Sequence, residues 1–382
     1  MIFGLQLFTQ FNKEQNVELN KDIYIHVGPP KTGTSAVQKW LNSNQPILQK
    51  QGVLYPSHTI DANGVSSGNV NCIYDIDDKK QIQLNKARLD ILIRDFQASH
   101  FSTLLLSSEF FFRQMEELKQ LIPSAKFIAY IRNPIETKES GYNQSVKRHF
   151  QVKKLNAVRR KQLPFMVRLV EFSEQFGEED LILRLYGERY FYRNNIVSDL
   201  LSVLGIDLDV TLPIVNSSYQ FEALEFKRWF NQFNLQDYQV VVDRALQGFT
   251  EGSSHYSLIP EEQYIEDSTY YAGVLERYAK ELKTLDLAPL VTHMKSASSK
   301  PYFTQELSEN RFLLVCHYLQ NILKLDYYLL TKEVKALTPV RNEHFHHLFV
   351  NSCTRKHHFM YLILKKFSQL RKLMAKALAK SF

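Results

Sequence analysis

Four short segments limit what this chain can fold into. DIYIHV at 22–27 alternates and is rich in β-formers. STLLLSSE at 102–109, KFIAYI at 126–131 and LILRLY at 181–186 are apolar over most of their length. Strands that are apolar on successive residues bury both faces, as parallel strands do beneath helices. Between and after these segments, helical periodicity predicts helices near 34–44, 82–98, 112–121, 134–149, 166–177 and 194–204. Strand–helix alternation of this kind predicts an α/β fold with a three-layer, mostly parallel sheet. Beyond about residue 215 the pattern is mainly helical: FEALEFKRWFNQF is amphipathic, and 305–332 carries apolar residues at helical spacing. The expected organisation is an α/β domain over 20–290 and a helical C-terminal extension over 291–382, divided near KSASSKPY.

Composition narrows the class. With 382 residues, 44% hydrophobic and 23% charged, the chain has ample core material for a globular protein. Three scattered cysteines, Cys72, Cys316 and Cys353, form no CxxC pair. They suit neither a disulfide framework nor a zinc site, and they suggest a reducing, cytoplasmic setting. No apolar run reaches the roughly 18 residues of a membrane span. The N-terminus, MIFGLQLFTQFNKEQ, lacks the basic start and small-residue cleavage site of a signal peptide. The net charge is +7, yet residues 355–382 alone hold eight Lys and Arg and no acid, leaving the rest near −1. The chain therefore has no pervasive nucleic-acid patch.

The first strand runs into HVGPPKTGTSAVQKWL at 26–41. Gly28 and Gly33 have the spacing of a Walker loop, but Thr34 follows Gly33 where that loop carries lysine. The lysine, Lys31, lies inside the loop instead. Such a strand–turn–helix presents backbone N–H groups and a positive helix end to an anion, and Thr32, Thr34 and Ser35 add hydroxyls. A plain turn capped by Thr34 or Ser35 would share part of this pattern. A second piece, RNPIETKES at 132–140, puts Arg132 where a buried strand ends, which is where ligands bind in open α/β sheets. Ser140 follows about two helical turns later. Arg132 offers a planar fork matched to phosphate oxygens, or it is a surface ion-pair partner.

Together, GPPKTGTS at 28–35 and RNPIETKES at 132–140 resemble the sulfotransferases that use 3′-phosphoadenosine 5′-phosphosulfate (PAPS). The resemblance spans about 22–235, with echoes in GVLYP, LLLSSE, ESGYNQSVKR, LILRLYGERYF and VNSSYQFEALEF, and it is nearest to bacterial carbohydrate sulfotransferase-like members. It implies that Pro30, Lys31, Thr32, Gly33, Thr34 and Ser35 cradle the 5′-phosphosulfate in a P-loop-like turn, while Arg132 and Ser140 hold the 3′-phosphate. It also implies that Lys31 stabilises the leaving bridging oxygen without a metal, and that a carbohydrate hydroxyl or amine accepts the sulfuryl group.

Such an acceptor needs a base to take its proton. Glu109 is the first candidate, ending LLLSS 23 residues before Arg132, although a glutamate there also suits a cap or ion pair. His58, on the loop after YPS, is the second. His26 reads as structural, and Asp61 has little in its favour. Lys300 and its neighbouring serines are a candidate for closing over the 3′-phosphate. The competing readings are a P-loop kinase-like phosphotransferase, disfavoured by the absent lysine after Gly33, and a catalytically silent nucleotide- or glycan-binding protein. Residues 359–382 form a basic amphipathic pattern, which suggests either a docked helix or peripheral contact with an anionic membrane.

Overall fold

A computed structural model describes residues 21–59, 66–77, 81–158, 162–211, 218–283, 285–296 and 298–353. Asp61 and the basic segment 359–382 lie outside these residues. Seven strands are described: β1 (Asp22–Gly28), β2 (Val53–Leu54), β3 (Tyr74–Ile76), β4 (Ile82–Leu84), β5 (Thr103–Ser107), β6 (Ala125–Ile131) and β7 (Leu181–Leu185). Five form one sheet in the order β2-β5-β1-β6-β7, every neighbouring pair parallel. β3 and β4 pair antiparallel as a separate hairpin.

Both sheet faces are covered, which explains the apolar runs. Ile23, Ile25, Leu104, Leu106, Phe127 and Ala129 enter one core, while Leu105, Ile128 and Tyr130 enter another on the opposite face. The second face is covered by α1 (Thr34–Ser43), α2 (Gln45–Lys50) and, further on, α7 (Ile196–Val203), through Val37, Leu48 and Leu200. The first face is covered by α3 (Lys86–Ala98), α4 (Met115–Leu121) and α6 (Pro164–Phe176), through Phe96, Leu118 and Phe172. The helix between the last two, α5 (Pro134–Arg148), starts where Pro134 occupies the first turn and the Asn133 side chain accepts from the Ile135 N–H at 2.9 Å.

The C-terminal half is interleaved. α8 (Phe221–Phe230), α9 (Gln236–Gln247), α12 (Glu309–Leu323), α13 (Leu325–Lys335) and α14 (Glu343–Ser352) enclose a third core rich in aromatic rings. Between them, α10 (Glu261–Glu281) and α11 (Ala288–Ser296) return to the sheet, where Leu275, Leu290 and Met294 join the first core. The aromatic core therefore draws on residues before and after 290. Tyr142 and Val146 of α5 also reach it, so α5 links that core to the sheet.

Two details differ from the sequence expectation. Val53 and Leu54 form an edge strand on Thr103 and Leu104 that is not among the strands expected from the sequence, because two residues are too few to show a period. Residues 82–84 are strand, not helix: α3 starts after Asn85, whose side chain accepts from Arg88 N at 3.1 Å. An asparagine there caps the helix, and the apolar residues before it pair across the hairpin instead.

Candidate functional site

Connections from β1 and from β5 leave the sheet on opposite sides, so a crevice opens at the carboxyl ends of β5, β1 and β6. Three loops meet there: 28–33 after β1, Ser108–Glu109 after β5 and Arg132 after β6. Gly28 and Gly33 have φ of 92° and 75°, and Lys31 also lies in the left-handed region at 74°. This backbone coils tightly before α1, whose N-terminal cap, Gly33, has no side-chain hydrogen bond closing the helix end. A helix N-terminus carries the positive end of the helix dipole.

Pro30, Lys31, Thr32, Glu109 and Arg132 all line a single cleft of about 590 Å³. Arg132 braces the loop by donating from Nη1 to the Lys31 carbonyl at 2.7 Å. The Arg132 guanidinium lies 4.7 Å from the ring centre of Tyr186 and pairs with Glu136 at 3.2 Å. Lys31 Nζ donates to Gln144 Oε1 on α5 at 2.9 Å. Burial lowers the Lys31 pKa most; nearby Glu109 opposes that shift, and Arg132 adds to it. Glu109 Oε1 accepts from Thr34 Oγ1 at 2.7 Å, tying the end of β5 to the first turn of α1. Thr32 is buried and donates back to the Pro29 carbonyl at 2.5 Å, so its hydroxyl holds the loop. Ser35 is half-buried in the first turn of α1.

Ser140 lines a smaller pocket of about 110 Å³ together with Arg132, Asn143, Ser254, Tyr256 and Lys300. The convergence of these distant residues has a traceable cause. Glu139 Oε1 accepts from Ser257 Oγ at 2.8 Å and from Leu258 N at 2.7 Å. Ser257 in turn pairs its backbone with Pro301 and Phe303, each at 2.9 Å. Lys300 is thus carried to α5 through the Glu139 side chain and the main-chain bonds of Ser257. Lys138 also anchors α5, pairing with buried Asp267 at 3.5 Å, while Thr137 donates to the Asn133 carbonyl at 3.0 Å within the helix's own first turn. Lys138 and Glu139 therefore serve attachment of the helix. Ser254 and Tyr256 were not singled out in the sequence; the Gly-Ser-rich stretch EGSSHYS is the only local signal for them.

His58 stands elsewhere. It exchanges two 3.1 Å hydrogen bonds with Asn42 of α1, its Nε2 lies 2.5 Å from Ser66 Oγ, and it lines neither cleft that Glu109 lines. Burial lowers its pKa. His26 is fully buried, with Nδ1 at 2.9 Å from Ser107 Oγ, and burial pushes its pKa down to about 4. Among the described residues no group of His, Cys, Asp or Glu could hold a metal ion, and no helix is long and apolar enough to cross a membrane.

No protein-family model matches the chain. A stretch of 84 residues is 31% identical to an uncharacterized protein of Archaeoglobus fulgidus, covering 22% of this chain and only 23% of that relative. Among solved structures, a retinol dehydratase in complex with androsterone and the inactive cofactor PAP aligns over 79% of this chain and 80% of its own. The identity there is 11% and the TM-score 0.19, an overlay too loose to bear on fold or activity.

Proposed function

We propose that the chain is a sulfotransferase that moves the sulfuryl group of PAPS onto a hydroxyl or amine of a carbohydrate acceptor. One observation carries this reading. Lys31 and Arg132, from the two motifs that resemble the PAPS-dependent family, are bonded to each other and share a cleft. Arg132 also shares with Ser140 and Lys300 a pocket of about 110 Å³, whose two carboxylates, Glu136 and Glu139, are engaged by Arg132 and by Ser257 and Leu258. The residues present suit the donor: the uncapped end of α1 and Lys31 suit a 5′-phosphosulfate, and Arg132, Ser140 and Lys300 suit a 3′-phosphate. When bound, PAPS supplies the sulfuryl group, its sulfur–oxygen bond to the 5′-phosphate breaking as the acceptor oxygen bonds to sulfur.

Glu109 is the base in this reading. Its Oε1 is held by Thr34, which leaves Oε2 to take the acceptor proton beside the loop. Lys31 neutralises the charge that the departing 5′-phosphate gains, as an ammonium within the same cleft. Arg132 and Ser140 orient the donor without taking part in bond breaking. Removing one such charge-stabilising donor typically costs on the order of 10²–10³ in turnover.

The test uses the full chain. PAP is expected to raise the melting temperature more than ATP does, and product mass spectrometry over a glycan panel is expected to find an added sulfuryl group. Lys31→Ala is expected to keep its fold by circular dichroism and to lose transfer by about 10²–10³-fold. Undiminished transfer in that variant, or no binding of PAP by the wild type, refutes the proposal.

A further inference from the structure

Glu109 is shared by two clefts. Beside the one of about 590 Å³, a second of about 460 Å³ opens towards Gln81 and Ile82 of the β3–β4 hairpin, and Pro30, Glu109 and Arg113 line both. Arg113 therefore stands where the clefts meet, four residues beyond Glu109 on the same 3-10 turn, Glu109–Gln114. The other cations of the larger cleft are engaged. Lys31 donates to Gln144, Arg132 to Glu136 and the Lys31 carbonyl, and Arg168 to Glu116 and the Arg113 carbonyl. The Arg113 guanidinium is exposed and makes no hydrogen bond or ion pair with another described residue. Phe112 and Phe165 give the same cleft an apolar wall. Two carboxylates, Glu109 and Glu171, also line it, so an acid group on a ligand needs a cation beside it, and Arg113 is the one whose charged group no described residue engages.

We infer that the acceptor is anionic: a ring compound whose carboxylate or sulfate pairs with Arg113 while its reacting hydroxyl faces Glu109. A uronic acid residue is the carbohydrate form of that chemistry. The inference rests on the sulfotransferase reading for the word acceptor, but the anion preference follows from Arg113 itself. A guanidinium fork pairs with a carboxylate through two parallel hydrogen bonds and gains nothing comparable from a neutral hydroxymethyl group. The apolar wall suits the face of a sugar or aryl ring and sets its orientation.

The experiment titrates the full chain, saturated with PAP, with 4-nitrophenyl β-D-glucuronide and with the matching glucoside. The glucuronide is expected to bind at least about ten-fold tighter. Arg113→Gln is expected to abolish that difference with PAP affinity unchanged, and Arg113→Lys to keep part of it. Equal affinities in the wild type, no binding of either glycoside, or a preference that survives Arg113→Gln each overturn the inference. If PAP fails to bind while the Arg113-dependent preference remains, the donor reading falls and the anionic-ligand assignment stands.

Discussion

Gly33 shows how much a single residue decides here. Its φ of 75° suits glycine, and a Cβ at this position would lie 2.9 Å from Ile196 Cδ1 and 3.2 Å from the Tyr186 ring. That ring also lies against the Arg132 guanidinium. Gly33→Ala is expected to cost about 1–2 kcal/mol for a left-handed alanine, and to weaken PAP binding because Tyr186 must shift. Gly205 is the control, since its φ is 76° but a methyl group there would meet nothing within 4 Å. Gly205→Ala should lose similar stability in a urea melt while binding PAP as the wild type does. Equal PAP affinity in both variants would contradict the coupling. At this scale Lys31, Glu109 and Arg132 were legible in the sequence, because each follows directly on a recognisable strand. Arg113 was not: an arginine in EFFFRQ has no local mark that distinguishes it from a solvated one.

Between elements, His26 and Ser107 join β1 to β5 beneath the loop, in register with each other. A histidine folded at about pKa 4 and unfolded near 6.5 binds its proton more tightly in the unfolded chain. Stability therefore rises with pH between those values and falls as pH drops through them. Between pH 7 and pH 5 the wild type is expected to lose about 2 kcal/mol that His26→Asn does not. The slope of stability against pH, read from denaturant melts at each pH, is the deciding measurement, because the substitution also shifts the absolute value. Parallel slopes would show that His26 does not govern acid sensitivity. The sheet strands themselves were readable from apolar runs, whereas β2 and the β3–β4 hairpin depend on pairing partners that no local period marks.

Across the whole molecule, the aromatic core supports the site through α5. Phe312 stacks on Phe345 with ring centres 4.2 Å apart and meets Trp229 at 4.9 Å and Phe226 at 5.2 Å. Phe312→Ala is expected to lower stability by about 3–5 kcal/mol, the cost of a large ring removed from a packed interior. Chemical denaturation checks it, and a loss under about 1 kcal/mol would mean that this core relaxes around the gap. Tyr142 and Val146 tie α5 to the same core, so loosening it also loosens the helix that carries Ser140 and Gln144.

By itself the sequence determined the parallel α/β sheet, the turn after its first strand and the strand ends that bear Glu109 and Arg132. These depend on local patterns: apolar runs long enough to bury two faces, and glycines where φ must be positive. Only the tertiary structure decided which distant residues join them. Lys300, Ser254 and Tyr256 reach Ser140 through the bonds of Ser257 to Glu139 and to the main chain of Pro301 and Phe303, His58 is drawn to Asn42, and the Arg113 guanidinium is left without a partner among the described residues. The physical reason is that such proximity and pairing belong to loops and side chains many residues apart, and no period in the chain encodes them.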